Sequence, residues 1–302
     1  IFYFPKFFHP DPTVKRQSGF LTPFFTDSTT VGTGFGLPYY WAIGNDKDLT
    51  FTPKIYAKEN ILFLNEYRQA FRNGFLTLDT SYTEGYKNTS PTKTGGTRNH
   101  IFANLDLDLG NNKDYESKFS LQMQRTSNDT YFRIHDLNTE LVDSSNTNLS
   151  NKFSYDFSKN DMYLNISGSV FEDLRKSSDR YEYILPNILY GKTFSTQNFG
   201  ELNFESNAFH KNYHADKHAT LLTNEIVWTP SNWITNNGFV NTLKGIINNR
   251  NYEAKNTKDD YKTGGTVNEF SGVLSYKTSL PMKKKGINFS KVISPNFMIR
   301  YA

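Results

Sequence analysis

The 302-residue sequence predicts an all-β protein, an antiparallel transmembrane β-barrel, partial, with about fifteen strands. Three observations carry that expectation. Apolar and polar residues alternate with period two along most of the chain, which gives each segment one apolar and one polar face. The alternating runs last about 9–15 residues, enough to cross a bilayer at a tilt and well beyond the 5–6 usual in soluble sheets. Aromatic residues reach 16% although the hydrophobic class totals only 36% and the mean hydropathy is −0.63. A barrel reconciles these figures, because lipid-facing apolar and lumen-facing polar side chains average to a mildly polar sequence.

Composition also excludes several classes. Lys+Arg number 34 and Asp+Glu 30, a balance too even for a protein that coats nucleic acid. With no cysteine, this segment holds no disulfide framework, thiolate zinc site or cysteine nucleophile. No run approaches the roughly 18 apolar residues of a spanning helix. The sequence begins at Ile1 without a recognisable signal peptide and ends in Phe297-Met298-Ile299-Arg300-Tyr301-Ala302, an unfinished strand. The chain is therefore expected to be a piece of a longer one.

Taken in order, the expected strands are 17–26, 31–43, 49–57, 61–71, 75–86, 98–109, 115–127, 148–157, 161–172, 180–191, 200–211, 218–229, 238–252, 265–280 and 289–302. Ala103, Leu105, Leu107 and Leu109 alternate with Phe102, Asn104, Asp106 and Asp108; Phe119, Leu121 and Met123 alternate with Ser120, Gln122 and Gln124; and Phe153, Tyr155 and Phe157 follow the same rule. No convincing apolar stripe at helical spacing is found. Turn-forming clusters such as Asn45-Asp46-Lys47-Asp48, Arg72-Asn73-Gly74 and Ser158-Lys159-Asn160 separate the runs. Alternate connections sort into short breaks (44–48, 72–74, 110–114, 158–160) and long polar stretches (87–97, 128–147, 253–264), with 27–30, 58–60 and 192–199 as exceptions. Short periplasmic turns and long outer loops are the asymmetry of outer-membrane barrels, so the long set is expected to face the cell exterior. An odd strand number leaves an unpaired edge in hydrocarbon, which places the rest of the barrel beyond Ala302.

Few motifs suggest chemistry. His210, His214 and His218 recur every four residues, which on a helix would resemble a metal site; here they straddle the break expected at 212–217 and read better as polar loop residues. Asp106 and Asp108 share a strand face and read as solvated lumen charge rather than paired catalytic carboxylates. Gly191-Lys192-Thr193 lacks the first glycine of a phosphate loop, since Pro186 stands there. Gly32, Gly34 and Gly36 have the spacing of part of a dinucleotide loop, but with no helix to follow they are expected to bend a strand or permit close approach. There is no nucleophile elbow, and no spacing pairs a serine with a base.

The most specific stretch is N-terminal. Lys15-Arg16-Gln17-Ser18-Gly19-Phe20-Leu21-Thr22-Pro23 is followed by Leu37-Pro38-Tyr39-Tyr40-Trp41 and by Asp48-Leu49-Thr50-Phe51-Thr52-Pro53, with Glu66-Tyr67-Arg68 beyond. In order and spacing these runs resemble those of the LPS-assembly outer-membrane protein family, LptD, over about residues 1–75; further along, only the strand pattern is similar. The resemblance implies a periplasmic β-jelly roll feeding a very large barrel. Residues 1–16 would be the end of the jelly roll and its connection, and 17–302 the N-terminal part of the barrel. It implies lipopolysaccharide as cargo and a non-enzymatic, cofactor-free role in the cell outer membrane. The implied partners are an LptE-like lipoprotein plug, an LptA-like periplasmic bridge and outer-membrane lipids.

Pro23 and Pro38 are the residues of most interest, with Gly19, Phe20, Leu21, Tyr39 and Tyr40 around them as strands of a lateral gate. Each proline lacks an N–H and so deletes a possible ladder bond in the first two barrel strands. They either weaken a seam that opens sideways or sit harmlessly at rims and bulges. Other classes remain open: a generic outer-membrane porin or channel, which shares the composition but not the N-terminal motifs; an outer-membrane lipid hydrolase, which needs serine and histidine together on an outward face; and a β-solenoid, for which no fixed repeat appears.

Overall fold

The computed structural model describes residues 16–90, 93–112, 114–197, 199–214, 217–255, 263–286 and 289–302. Of the expected jelly-roll end and connection, residues 1–16, all but Arg16 lie outside these. The strands in chain order are β1 (Gly19–Phe20), β2 (Phe24–Thr26), β3 (Gly34–Gly36), β4 (Tyr39–Trp41), β5 (Lys47–Tyr56), β6 (Leu62–Phe71), β7 (Gly74–Ser90), β8 (Lys93–Asn112) and β9 (Tyr115–Thr126). After a short helix, α1 (Tyr131–His135), come β10 (Asn148–Lys159), β11 (Met162–Asp173), β12 (Tyr181–Thr196), β13 (Gly200–His214) and β14 (Lys217–Thr229). The last are β15 (Trp233–Ile234), β16 (Val240–Lys255), β17 (Val267–Ser279), β18 (Met282–Lys285), β19 (Ser290–Ile293) and β20 (Asn296–Tyr301). Among the described residues eighteen strands belong to one sheet and two, β18 and β19, to another. Among the described residues no helix is long and apolar enough to cross a membrane.

The chain divides into two compact units. In the first, which holds β1–β7 and most of β8, the usual sense of burial is inverted. Along β5, Asp48, Thr52 and Lys54 are buried while Phe51 and Ile55 are exposed. Along β7, Thr77, Asp79, Ser81 and Thr83 are buried while Tyr82 is exposed. Strand alternation makes these opposite faces of one sheet, one polar and covered, the other apolar and open. A soluble sheet would hide the phenylalanines, whereas a membrane barrel turns such a face toward lipid.

The cover of the polar face is the 128–147 connection. Tyr131, Phe132, Leu137 and Val142 are buried in a cluster with Tyr56, Leu62 and Phe102. Asn128 begins the turn, its Oδ1 accepting from the Thr130 N–H at 3.1 Å, and Asp136, at φ 48°, ends α1. The sequence shows no helical stripe here, but the connection holds a short helix packed on the sheet. One helical turn is too short to show a period in sequence, yet its aromatic residues find an apolar site beside Phe102.

In the second unit, β12, β13, β14, β16 and β17 form a continuous antiparallel meander, and β20 pairs with β17 from Leu274↔Tyr301 to Ser279↔Asn296. Ser206 Oγ donates to Asn224 Oδ1 at 2.8 Å and Asn224 Nδ2 to Asn249 Oδ1 at 3.4 Å, a polar rung across three strands. Phe270 and Leu274 of β17 are exposed.

Several boundaries differ from expectation. The polar stretch 87–97 is largely strand, since β7 and β8 extend their ladder through it, and β12 likewise runs to Thr196. Backbone pairing does not require apolar side chains, so composition underestimates strands that outrun their apolar band. The span 289–302 is two strands: β19 folds back on β18, and after Pro295 β20 joins β17. The spans 17–26 and 31–43 are each interrupted, at residues 21–23 and 37–38.

Candidate functional site: the interrupted first hairpin

β1 and β2 run antiparallel to β4 and β3. Gly19 pairs with Tyr40 and Phe20 with Tyr39, their rings edge to face with centroids 5.1 Å apart. Pairing resumes at Phe24↔Gly36, Phe25↔Phe35 and Thr26↔Gly34. Between these ladders three residues, 21–23, oppose two, 37–38, so the hairpin carries a one-residue bulge holding Pro23 opposite the interruption at Pro38.

The hydrogen bonds show what each proline removes. Leu21 N–H donates to the Pro38 carbonyl at 2.9 Å. The reciprocal bond of such a pair would come from the nitrogen of residue 38, which has no hydrogen. One strand further, Leu37 N–H donates to the Pro53 carbonyl at 3.2 Å, and again the return bond is missing. On the β3–β5 side Ala57 N–H donates to the Thr33 carbonyl at 2.9 Å, so alternation turns Gly36 and Phe24 toward each other and the Pro23 nitrogen away, to the outer side of β2. Pro23, Pro38 and Pro53 thus thin the hydrogen bonding of three successive strands. Pro53 ends a motif already noted, but its part in the same weakness appears only with the register.

The glycines behave as expected of close approach. A Cβ on Gly36 would collide with the ring of Phe24, and one on Gly34 would lie 2.9 Å from the Tyr56 ring. Behind the hairpin, Asp48 is buried and accepts from Arg16 Nη1 at 3.0 Å and Arg68 Nε at 2.9 Å, which fastens the chain before β1 to β5 and β6.

Further along the polar face, the β7–β8 register sets Ser81 opposite His100. Ser81 Oγ lies 2.5 Å from His100 Nδ1, and His100 Nε2 3.0 Å from Asp79 Oδ1. Spacing pairs no serine with a base; the fold does. The order Ser–His–Asp would suit a nucleophile, but all three side chains are buried. Moreover, the Tyr131 hydroxyl covers Ser81 and the Thr139 hydroxyl donates to Asp79. These groups hold the 128–147 connection, as do Lys54 Nζ and the Tyr56 hydroxyl, which donate to the His135 carbonyl at 3.0 and 3.2 Å. His135 is buried against Tyr56 and Tyr131, and burial, with Lys54 and Arg98 nearby, holds its imidazole down to about 4.

The remaining candidates stay apart from this site. His210 and His218 lie on β13 and β14 with ring centroids 5.7 Å apart; His210 Nδ1 is 2.8 Å from Thr220 Oγ1 and His218 Nε2 is 3.7 Å from Glu253. These two are strand residues rather than loop residues, and β13 and β14 also take up most of the expected break. The side chain of His214 lies outside the described residues, among which no metal-sized group of three or more such ligands occurs. Asp106 and Asp108 are exposed, and Asp106 accepts from Ser120 at 2.7 Å.

No family model matches the chain. Curated relatives do. LPS-assembly protein LptD of Shewanella oneidensis is 38% identical over 96 residues, which are 30% of this chain and 12% of that protein. The protein of the same name from Nitrosomonas europaea is 31% identical over 137 residues, 45% of this chain and 17% of its own. That of Escherichia coli O1:K1 is 28% identical over 162 residues, 52% of this chain and 20% of its own. The chain is LptD-like over the matched parts, and the matches span a fifth or less of the length of these relatives. The relatives are named for assembly rather than for an enzymatic reaction.

Proposed function

We propose that the chain forms part of an outer-membrane β-barrel that delivers lipopolysaccharide to the outer leaflet, and that cargo leaves sideways where β1–β2 meets its outer neighbour. The observation that carries this reading is the inverted sheet, with charged residues covered and phenylalanines open, in a chain whose relatives are named LPS-assembly proteins. A lateral exit suits an amphiphile, whose sugars would keep to a polar lumen while its acyl chains pass into lipid. The prolines support an exit at the first hairpin, because bonds never formed need not be broken for strands to part. An LptE-like plug and an LptA-like bridge would complete the route. Depletion of the protein in its own cells should stop newly made lipopolysaccharide from reaching the surface while porins continue to assemble; continued delivery would refute the reading.

A porin-like channel is the second reading, favoured by one observation: the 128–147 connection folds onto the polar face, where it would narrow a pore. The purified protein in planar bilayers separates the two. Steady conductance that rises on deletion of residues 130–142 would support the channel.

A further inference from the structure

β18 and β19 form a hairpin outside the main sheet, and all eight of their residues are exposed. Met282 pairs with Ile293, Lys283 with Val292, Lys284 with Lys291 and Lys285 with Ser290. Directly paired residues share a face, so Lys284 and Lys291 stand side by side. Like charges so placed destabilise a hairpin unless an anion lies between them. None is available from the neighbouring sequence: residues 270–302 include Lys277, Lys283, Lys284, Lys285, Lys291 and Arg300 but no aspartate or glutamate. In the same unit Lys211, by contrast, has Glu182 at 2.6 Å.

The second observation concerns position. The hairpin leaves the sheet where Ser279 pairs with Val240 and Asn296. At that end Trp233 stacks on Tyr276 with centroids 6.1 Å apart, and Trp233, Ile234 and Phe239 are exposed. Exposed Met282, Phe289, Val292 and Ile293 continue this apolar rim onto the hairpin, and Lys291 Nζ lies 5.5 Å from the Phe289 ring centroid. Aromatic and aliphatic groups interleaved with lysines at the end of membrane-length strands suit the headgroup boundary, where apolar bodies meet acyl chains and ammonium groups meet phosphate.

We propose that this hairpin is a phospholipid-headgroup site, in which the Lys284–Lys291 pair holds the phosphate of an anionic phospholipid while Met282, Val292 and Ile293 enter the acyl boundary. The proposal rests on the membrane reading above and adds a ligand site to it. Cationic side chains near an anionic surface add about fivefold in affinity each.

The test uses the intact protein, first reconstituted into phosphatidylcholine nanodiscs and then delipidated in detergent for lipid titration followed by native mass spectrometry. Phosphatidylglycerol should bind more tightly than phosphatidylcholine. K284Q/K291Q should lower phosphatidylglycerol affinity about 25-fold, leave phosphatidylcholine unchanged and keep the strand content of the parent by circular dichroism. Equal affinity for the two lipids, or a preference that survives the double substitution, overturns the headgroup site alone. Tighter binding of lipopolysaccharide, titrated in parallel and lost with the same substitutions, overturns it in favour of the cargo. Failure to insert into nanodiscs overturns the membrane reading and the proposal together.

Discussion

The hydroxyl of Tyr131, on the only turn of α1, lies 2.6 Å from Oγ of Ser81 on β7. With it the 128–147 connection closes over Asp79 and His100, so one contact joins a loop to the buried polar face of the sheet. Tyr131→Phe removes the hydroxyl and leaves the ring in place, which should weaken loop docking by about 1 kcal/mol. Tyr131→Ala also removes a buried ring and should cost about 3–5 kcal/mol. Hydrogen exchange across residues 130–142 would read both, and equal protection in the two variants would mean that the ring contributes nothing.

Acid should release the same loop. The His135 imidazole is held at about 4 against an ordinary 6.5, so the docked state favours the neutral ring. Docking is then at full strength above about pH 6.5 and loses up to roughly 3 kcal/mol as pH falls toward 4. Protease sensitivity of the loop should rise through that window, and His135→Gln should abolish the dependence. An unchanged profile in the variant would assign the acid response to other groups.

Pro23 and Pro38 act on different sides of the first hairpin. Pro38→Ala supplies a donor toward Leu21 and should tighten β1 on β4 by about 1 kcal/mol in water and by several in hydrocarbon. Pro23→Ala supplies a donor on the outer side of β2. The double variant should deliver lipopolysaccharide to the surface at least about fivefold more slowly at equal folded abundance, the rate equivalent of ~1 kcal/mol. Unchanged delivery would leave both prolines as harmless bulge residues, and Pro53→Ala, which touches only the β4–β5 ladder, serves as the comparison.

Asp48 accepts from both Arg16 and Arg68 at the foot of the hairpin. Asp48→Asn keeps the shape but removes the charge, and should lower local stability by about 2 kcal/mol. Amide exchange at residues 18–21 should accelerate more than exchange in the middle of β6. Uniform acceleration across both would show that the aspartate supports the whole unit rather than the strand entrance.

The strands were legible wherever one face is apolar. The expected spans 49–57 and 61–71 lie within two residues of β5 and β6, because Phe51, Ile55 and Phe63 mark their outer faces. They were illegible where both faces are polar, as in the outer half of the β7–β8 hairpin, since ladder bonds leave no mark on side-chain pattern. The proline interruption was legible as chemistry, although the order of missing donors needed the register. Ser81 and His100 were not legible at all: they are 19 residues apart, and only the pairing of β7 with β8 makes them neighbours.

The unequal count across the first hairpin has one more consequence. Two residues in place of 21–23 would run a regular ladder from Phe20↔Tyr39 to Phe24↔Gly36 and leave Phe20 and Phe25 still facing outward, where both now lie. Patterning therefore does not call for the extra residue. It is slack, about 3.3 Å of extended chain, stored beside the two prolines. A strand with slack can slide by one position, or lean away from its neighbour, before the covalent chain pulls taut.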